Sequence, residues 1–271
     1  MSPSPKERAQ TERFAEIYQR SQLPVMKLVE RSVCGCDYGG TSWTTREEAD
    51  ENAAQLGLGS GVRLLDLGSG SGWPALYWAQ TTGCAVMLTD LPFDGLNLAA
   101  RRAADDGLRE SCYFAVASGA ALPFPDGSFD AISHSDVLCC LPDKLEVLQA
   151  CHGVLRQGAR MVFSVISISP GLDETDYQRA VDSGPPFVEA EQDYPALLAQ
   201  SGWVIDQRRE VTDNFAATYS RLIDAEAGQV DALLELFGEA GLAERQVGQR
   251  EKIRAISDGV LCREIFDVVR G

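Results

Sequence analysis

The chain has 271 residues, enough for one α/β domain with an elaboration or for two small domains. Its composition, 45% hydrophobic and 24% charged, is ordinary for a folded protein. It has 24 basic and 40 acidic residues, and the net charge of −16 repels phosphate backbones, which argues against a nucleic-acid partner.

The start of the chain predicts neither export nor membrane attachment. The segment MSPSPKERAQTERF has no apolar run typical of a signal peptide, and no apolar stretch of the chain reaches bilayer-spanning length. Most of the eight cysteines fall in predicted core segments, as expected of free thiols in a reducing compartment. We therefore predict a cytoplasmic protein with no membrane partner, either a monomer or a homodimer.

Residues 1–57 are predicted to form a helical cap. Apolar side chains recur at helical spacing over residues 6–31, which indicates one or two helices. The segment CGCDYGGTSWTT (34–45) predicts an ordered loop. Thr45 followed by Glu48 is a capping-box pattern, so a further helix is expected to start there and to end at Gly57.

Strands and helices alternate over the second predicted domain, residues 58–271. Apolar strands that alternate with helices are typical of a parallel sheet covered on both faces. A long amphipathic segment, about 214–257, predicts a helical lid before the last strand. The predicted fold is α/β and Rossmann-like, a doubly wound, mostly parallel seven-stranded sheet. Its strands are expected at 62–67, 85–90, 112–116, 129–134, 159–168, 203–212 and 260–269.

The segment LLDLGSGSGWPALYWAQ (64–80) places three glycines between a strand and a helix. A phosphate-binding loop needs a lysine after the glycines, and none follows here. A dinucleotide fingerprint counted from Gly68 places Trp73 where its third glycine belongs. Counting from Gly70 places Ala75 there, which leaves a dinucleotide as a weaker alternative.

The pattern Asp-x-Gly-x-Gly-x-Gly, from Asp66 to Gly72, resembles the first motif of class I S-adenosylmethionine-dependent methyltransferases. Backbone N–H groups near a helix start can hold the carboxylate of that cofactor, and Asp66 can meet its ammonium. Asp90 lies about 20 residues past Gly68 at the end of a predicted strand, where its two oxygens can accept from both ribose hydroxyls.

A third segment, residues 117–143, resembles a later motif of the same family. Ser118 stands where the family usually has an aspartate that accepts from the adenine amino group, and a serine hydroxyl can accept as a neutral group. The resemblance implies S-adenosylmethionine as the cofactor, without a metal. The cofactor-binding residues it implies are Asp66, Gly68, Ser69, Gly70, Gly72, Asp90, Leu91, Ser118, Gly119, Ala120 and His134.

His134 and Asp136 close the fourth predicted strand and are the predicted catalytic residues. His134 can act as a general base, and Asp136 can hold a cationic amine. The alternatives are that His134 packs beside the cofactor and that Asp136 bonds the next loop. The predicted substrate contacts, for which core packing is the alternative, are Tyr38, Trp43, Asp136, Tyr177 and Tyr219.

The later part of the chain resembles sarcosine/dimethylglycine and ubiquinone-biosynthesis methyltransferases. This resemblance implies direct, in-line methyl transfer to a small molecule, with an amine as the first candidate acceptor. Methylation of oxygen, carbon, sulfur or arsenite is an open alternative, and so is a non-catalytic S-adenosylmethionine-binding module. Cys34 and Cys36 have no second such pair to complete a structural zinc site.

Overall fold

The structure is a computed structural model that describes residues 5–271, with side chains from residue 8 onward. Three helices precede the first strand: α1 (Pro5–Ser21), α2 (Pro24–Cys34) and α3 (Arg46–Gln55). The predicted cap of α3 is present, because the Thr45 hydroxyl accepts from Glu48 N at 3.2 Å. The predicted division at residues 57 and 58 stays a prediction.

Seven strands form one sheet. They are β1 (Arg63–Leu67), β2 (Ala85–Asp90), β3 (Cys112–Val116), β4 (Phe129–Ser135), β5 (Leu155–Ile168), β6 (Trp203–Glu210) and β7 (Leu261–Arg270). Their order is β3-β2-β1-β4-β5-β7-β6, and β7 runs antiparallel to both of its neighbours. The predicted fold class is confirmed. The strand order reverses between β1 and β4, and ligands of open α/β sheets bind beyond the strand ends at such a point.

Seven further helices accompany the sheet: α4 (Ala75–Thr82), α5 (Phe93–Asp105), α6 (Lys144–Val154), α7 (Glu174–Ser183), α8 (Tyr194–Gln200), α9 (Thr212–Ala227) and α10 (Val230–Ser257). The last two form the predicted insertion between β6 and β7, and α10 is kinked at Gly238. Helix α2 packs on α9, and α1 packs on α5. Across residues 5–271, no helix combines the length and the apolar character needed to cross a membrane. The cytoplasmic location stays a prediction.

Both faces of the sheet are buried. Leu64 and Leu65 are successive residues of β1, and their side chains point to opposite faces. Leu64 packs in a cluster with Trp78 of α4, and Leu65 packs in a cluster with Leu148 of α6. This two-sided core holds the carboxyl ends of the strands at one edge of the sheet, where the candidate site lies.

Candidate cofactor and acceptor site

An open cavity lies beyond the carboxyl ends of β1, β2 and β4. It encloses about 1580 Å³ of space that no atom occupies, including its opening to solvent. One end of the cavity is lined by Asp66, Gly68, Ser69, Gly70, Ser71, Asp90 and Leu91.

Only glycine fits at positions 68 and 70 of the loop between β1 and α4. Gly68 has a φ of 68°, and a Cβ there would lie 2.5 Å from Val137 Cγ2. Gly70 has a φ of 51°, and a Cβ there would lie 2.7 Å from the Tyr18 hydroxyl. Gly72 does not line the cavity, because it packs against Leu76 at the start of α4. Val137 and Tyr18 thus occupy the space where these side chains would lie, and the backbone of Gly68 and Gly70 lines the cavity.

Asp90 ends β2 and is held in one orientation by its neighbours. Its Oδ2 accepts from Gly70 N at 2.8 Å and from the Tyr18 hydroxyl at 3.4 Å, while Oδ1 accepts from Leu91 N at 2.8 Å. Burial raises the pKa of Asp90 to about 6, although these hydrogen bonds oppose the shift. A carboxylate offers about four acceptor sites, and these three bonds leave one site, on Oδ1, for a ribose hydroxyl.

Asp66 is buried in β1 at the same end of the cavity, with 2% of its surface exposed. Burial raises the pKa of its carboxyl to about 8, and the charge of Asp90 adds to this shift. A ligand ammonium placed nearby would stabilise the carboxylate form. Asp66, the glycine loop and Asp90 thus suit the amino acid and ribose parts of S-adenosylmethionine.

The segment predicted to contact adenine does not line this cavity. Ser118, Gly119 and Ala120 follow β3, and the Ser118 hydroxyl accepts from Ala120 N at 3.4 Å. Gly119 packs toward Leu67 and Val147. The serine therefore bonds within its own turn, and its contact with adenine stays a prediction.

His134 does not reach the cavity, contrary to the prediction that it faces the ligand. Its side chain is 1% exposed and stacks on Phe163, with 4.5 Å between the ring centroids. Alternate residues of a strand point to opposite faces, so His134 enters the core while Ser135 lines the cavity. Within residues 8–271, neither ring nitrogen has a hydrogen-bond partner. Desolvation lowers the pKa of His134 to about 3, which opposes a role as general base at neutral pH.

Asp136 lines the cavity just after β4, with a φ of 55° that is uncommon outside glycine. Both of its oxygens accept from Arg263 Nε, at 3.0 and 3.1 Å. The other two nitrogens of Arg263 donate to Glu48, each at 2.7 Å. Burial raises the pKa of Asp136, and the positive charge of Arg263 opposes this. The pairing of Arg263 with Glu48 and Asp136 was not predicted, because β7 (LCREIFDVVR) carries several charged residues and nothing in its sequence distinguishes Arg263.

The predicted substrate contacts divide into two groups. Trp43 lines the cavity and packs on Tyr219 of α9, with 4.9 Å between ring centroids. Tyr219 lines a groove that adjoins the cavity. Tyr38 lies outside both, because it is buried against Trp73 and beneath the guanidinium of Arg102.

Tyr177 is also not among the residues that line the cavity. Its ring is 38% exposed on α7, and its hydroxyl donates to Glu189 at 2.9 Å. This surface contact does not direct the ring toward a ligand. A substrate role for Tyr38 or Tyr177 is therefore not supported by where these side chains lie.

Helices α1 and α10 contribute a wall of the cavity that was not predicted from the sequence. Helix α1 places Phe14, Ile17 and Tyr18 on the cavity, and α10 places Lys252 there. The helical spacing of these apolar residues predicted a helix but not which part of the fold its apolar side would contact. Further lining residues that were missed are Gln10, Thr11, Arg13, Cys139 and Cys140.

Comparisons with known proteins identify the family. A family described as "Methyltransferase domain" matches residues 65–163. Methyltransferase GfsG of Streptomyces halstedii is 30% identical over 196 residues, which cover 70% of this chain and 68% of that protein. The chain belongs to the S-adenosylmethionine-dependent methyltransferases. The predicted family, enzyme class and cofactor are confirmed, and the enzyme acts on a small molecule.

Two other relatives cover most of this methyltransferase. The 27-O-demethylrifamycin SV methyltransferase of Amycolatopsis mediterranei (strain S699) is 28% identical over 223 residues, 79% of this chain and 80% of that protein. Phosphoethanolamine N-methyltransferase 2 of Haemonchus contortus superimposes with a TM-score of 0.77 at 17% identity, over 95% of this chain and 60% of that chain. At such identity the second likeness shows a shared fold.

Proposed function

We propose that this methyltransferase transfers the methyl group to a hydroxyl oxygen of a largely apolar small molecule. The observation that carries the proposal is the lining of the cavity beyond the glycine loop, where apolar and aromatic side chains prevail. They come from α1, the loop before α3, β5, α9 and β7. They are Phe14, Ile17, Trp43, Ile166, Phe215 and Leu261.

The charges around the cavity oppose a cationic acceptor. Asp66 and Asp90 lie at the cofactor end, and Asp136 already accepts from Arg263 through both oxygens. Arg13 and Lys252 line the same cavity and would repel an ammonium. An uncharged or anionic acceptor therefore suits the cavity better than the amine expected from the sequence. The name of the rifamycin relative, which refers to a methylated oxygen, agrees with this proposal.

Asp136 is the residue we assign to proton removal. The bound cofactor supplies an activated methyl group, so the chain has to orient the acceptor, exclude water and take its proton. The bond from Arg263 uses two of about four acceptor sites on the Asp136 carboxylate, which leaves sites for a hydroxyl. As the carbon–oxygen bond forms and the carbon–sulfur bond breaks, the hydroxyl proton passes to Asp136 and then to solvent.

An amine is the second candidate acceptor. Asp136 lines the cavity, and its free acceptor sites can orient a neutral amine as well as a hydroxyl. The Haemonchus relative is named as an N-methyltransferase. An amine that reacts in its neutral form would avoid repulsion by Arg13 and Lys252.

Matched acceptors distinguish the two candidates. The protein is incubated with S-adenosylmethionine and, in separate reactions, with naphthol, naphthylamine and naphthalenethiol, which share one apolar ring system. The formation of S-adenosylhomocysteine and of methylated product is followed by mass spectrometry. We expect naphthol to be methylated fastest. Faster methylation of naphthylamine would contradict the proposal and favour the amine, and faster methylation of the thiol would contradict both.

A further inference from the structure

We propose that the acceptor carries an anionic group, a carboxylate or another oxyacid, and that Arg13 and Lys252 bind it where the cavity meets the neighbouring groove. This inference rests on the proposed function, because it names the class of acceptor for the same site. The acceptor is then a hydroxy acid with an apolar body.

The two cations come from helices far apart in sequence. Arg13 lies on α1 and Lys252 lies on α10, and both line the cavity. Both also line the groove between α1–α2 and α9–α10, which shares Thr41, Ser42 and Trp43 with the cavity. The cations therefore stand at the junction of the two spaces, with Arg13 exposed at the opening and Lys252 partly buried.

Neither cation is paired with a carboxylate in the part of the chain that the structure describes. Within residues 8–271, no ion pair or hydrogen bond engages the side chain of Arg13 or Lys252. By contrast, Arg245 of the same groove is paired with the buried Glu226 at 2.5 Å. Desolvation lowers the pKa of Lys252, and the charge of Arg13 lowers it further, while the thiols of Cys140 and Cys139 oppose the shift and no carboxylate contributes to it. An anion between the two side chains would relieve this electrostatic cost.

The acidic residues of the groove do not neutralise the pair. Glu30 accepts from Gly39 N at 2.6 Å and from Gly40 N at 3.1 Å, which holds the loop before α3. Asp182 accepts from Gln178 at 2.9 Å. Two further carboxylates line the groove from exposed positions, those of Glu244 and Glu251. Among residues 8–271, two cations at one junction without a carboxylate partner are notable in a chain with a net charge of −16.

The position of the pair defines how such an acceptor would lie. Asp136 lines the inner cavity, and Arg13 and Lys252 line its junction with the groove. The apolar side chains between them would contact the body of the ligand, with Trp43 shared by both spaces. The reacting hydroxyl would therefore lie inward and the anionic group outward.

Calorimetric titration of the full chain saturated with S-adenosylhomocysteine tests the subsite. The probes are 4-hydroxycinnamate and 4-hydroxycinnamyl alcohol, which share the ring and the phenol and differ in the charged group. We expect the carboxylate to bind at least about tenfold more tightly, since hydrogen bonds to charged groups are the stronger ones. Equal affinity of the two probes, including no measurable binding of either, would overturn the proposal.

Variants test whether Arg13 and Lys252 cause the preference for the carboxylate probe. Arg13→Gln with Lys252→Gln should reduce the preference for the carboxylate to within about twofold, because both charges are removed. The control is Arg250→Gln, which removes one exposed charge from α10 outside the cavity lining and should keep the preference. A preference that survives in the double variant would contradict the assignment. If that variant no longer binds S-adenosylhomocysteine, loss of the wild-type preference at high salt concentration supports the subsite, and persistence at high salt overturns it.

This titration involves no methyl transfer, so its outcome is separate from the proposed function. Tighter binding of the carboxylate without methylation of either phenol would leave the subsite supported and the hydroxyl proposal contradicted. Methylation of both phenols, with equal affinity for the two, would support the hydroxyl proposal and contradict the subsite.

Discussion

Tyr18 of α1 and Asp90 at the end of β2 are joined by a hydrogen bond of 3.4 Å from the phenol to Oδ2. The same oxygen accepts from Gly70 N, so one carboxylate links the N-terminal helix to the glycine loop. Because α1 also lines the acceptor part of the cavity, its position is tied to the residue that we expect to bind the ribose. The position of α1 and the orientation of Asp90 are therefore linked by this bond.

Tyr18→Phe should weaken the binding of S-adenosylhomocysteine about fivefold, because the lost hydrogen bond contributes about 1 kcal/mol to the orientation of Asp90. Titration calorimetry measures the change. Tyr113→Phe is the matched control, since that exposed phenol bonds only the carbonyl of Glu110. Unchanged affinity in Tyr18→Phe would show that α1 does not support the cofactor site.

Asp90→Ala should weaken cofactor binding at least tenfold, about 1.4 kcal/mol, because the carboxylate that accepts from the ribose is removed. The variant also loses the acceptor for Gly70 N and Leu91 N. The control is Asp105→Asn, an exposed carboxylate at the end of α5. If Asp90→Ala binds the cofactor as the wild type does, the ribose assignment is wrong.

The raised pKa of Asp66 predicts that cofactor binding releases a proton. In the free protein the pKa of Asp66 is raised to about 8, so the carboxyl is largely protonated at pH 7. An ammonium beside it favours the carboxylate, so binding should release a proton, and affinity should rise with pH until about 8. Calorimetry in buffers of different ionisation enthalpy measures the release.

Asp66→Asn provides the control for this linkage. The amide cannot lose a proton, so proton release should fall toward zero in the variant. Proton uptake by the wild type, or equal release by the variant and the wild type, would refute the role of Asp66.

Arg263→Met should destabilise the protein by about 3–5 kcal/mol, because it leaves Asp136 and Glu48 as buried carboxylates without a counter-charge. Equilibrium unfolding in urea measures the loss. Arg179→Ala removes an exposed pair with Asp258 and should leave the unfolding midpoint almost unchanged. A loss below about 1 kcal/mol in Arg263→Met would mean that the buried pairs contribute little.

Asp136→Asn should lower kcat for a hydroxyl acceptor by about 10²–10⁴, the range typical of general bases, while cofactor affinity stays unchanged. The test compares kcat with the Kd for S-adenosylhomocysteine in the same preparation. A kcat within about threefold of the wild-type value would exclude Asp136 as the base. Loss of cofactor affinity instead would indicate a structural effect through Arg263.

The features that depend on residues close together in the chain were predictable from the sequence. The glycine loop follows β1 and Asp90 ends β2, so their spacing and the resemblance of the loop to a methyltransferase motif were sufficient to place them at one edge of the sheet. The cap of α3 at Thr45 was equally local, since its bond partner is three residues away. The alternation of strands and helices was sufficient for the fold class.

The features of the site that were not predicted depend on contacts between segments that are far apart in the sequence. Arg263 reaches Glu48 and Asp136 across most of the chain, and no spacing rule links these positions. Gln10 likewise donates to the carbonyl of Cys140 from α1. Whether the last residues of a strand face the core or the ligand depends on one residue of register, which is why His134 was assigned to the cavity that Ser135 lines.

The most direct test of the central claim is calorimetric titration of the wild-type chain with S-adenosylmethionine and with S-adenosylhomocysteine. The account predicts that both bind in the micromolar range at one site per chain, and that affinity rises with pH toward 8. Absence of binding by either compound, with the protein folded, would contradict the assignment of the cavity beyond β1, β2 and β4 as the cofactor site.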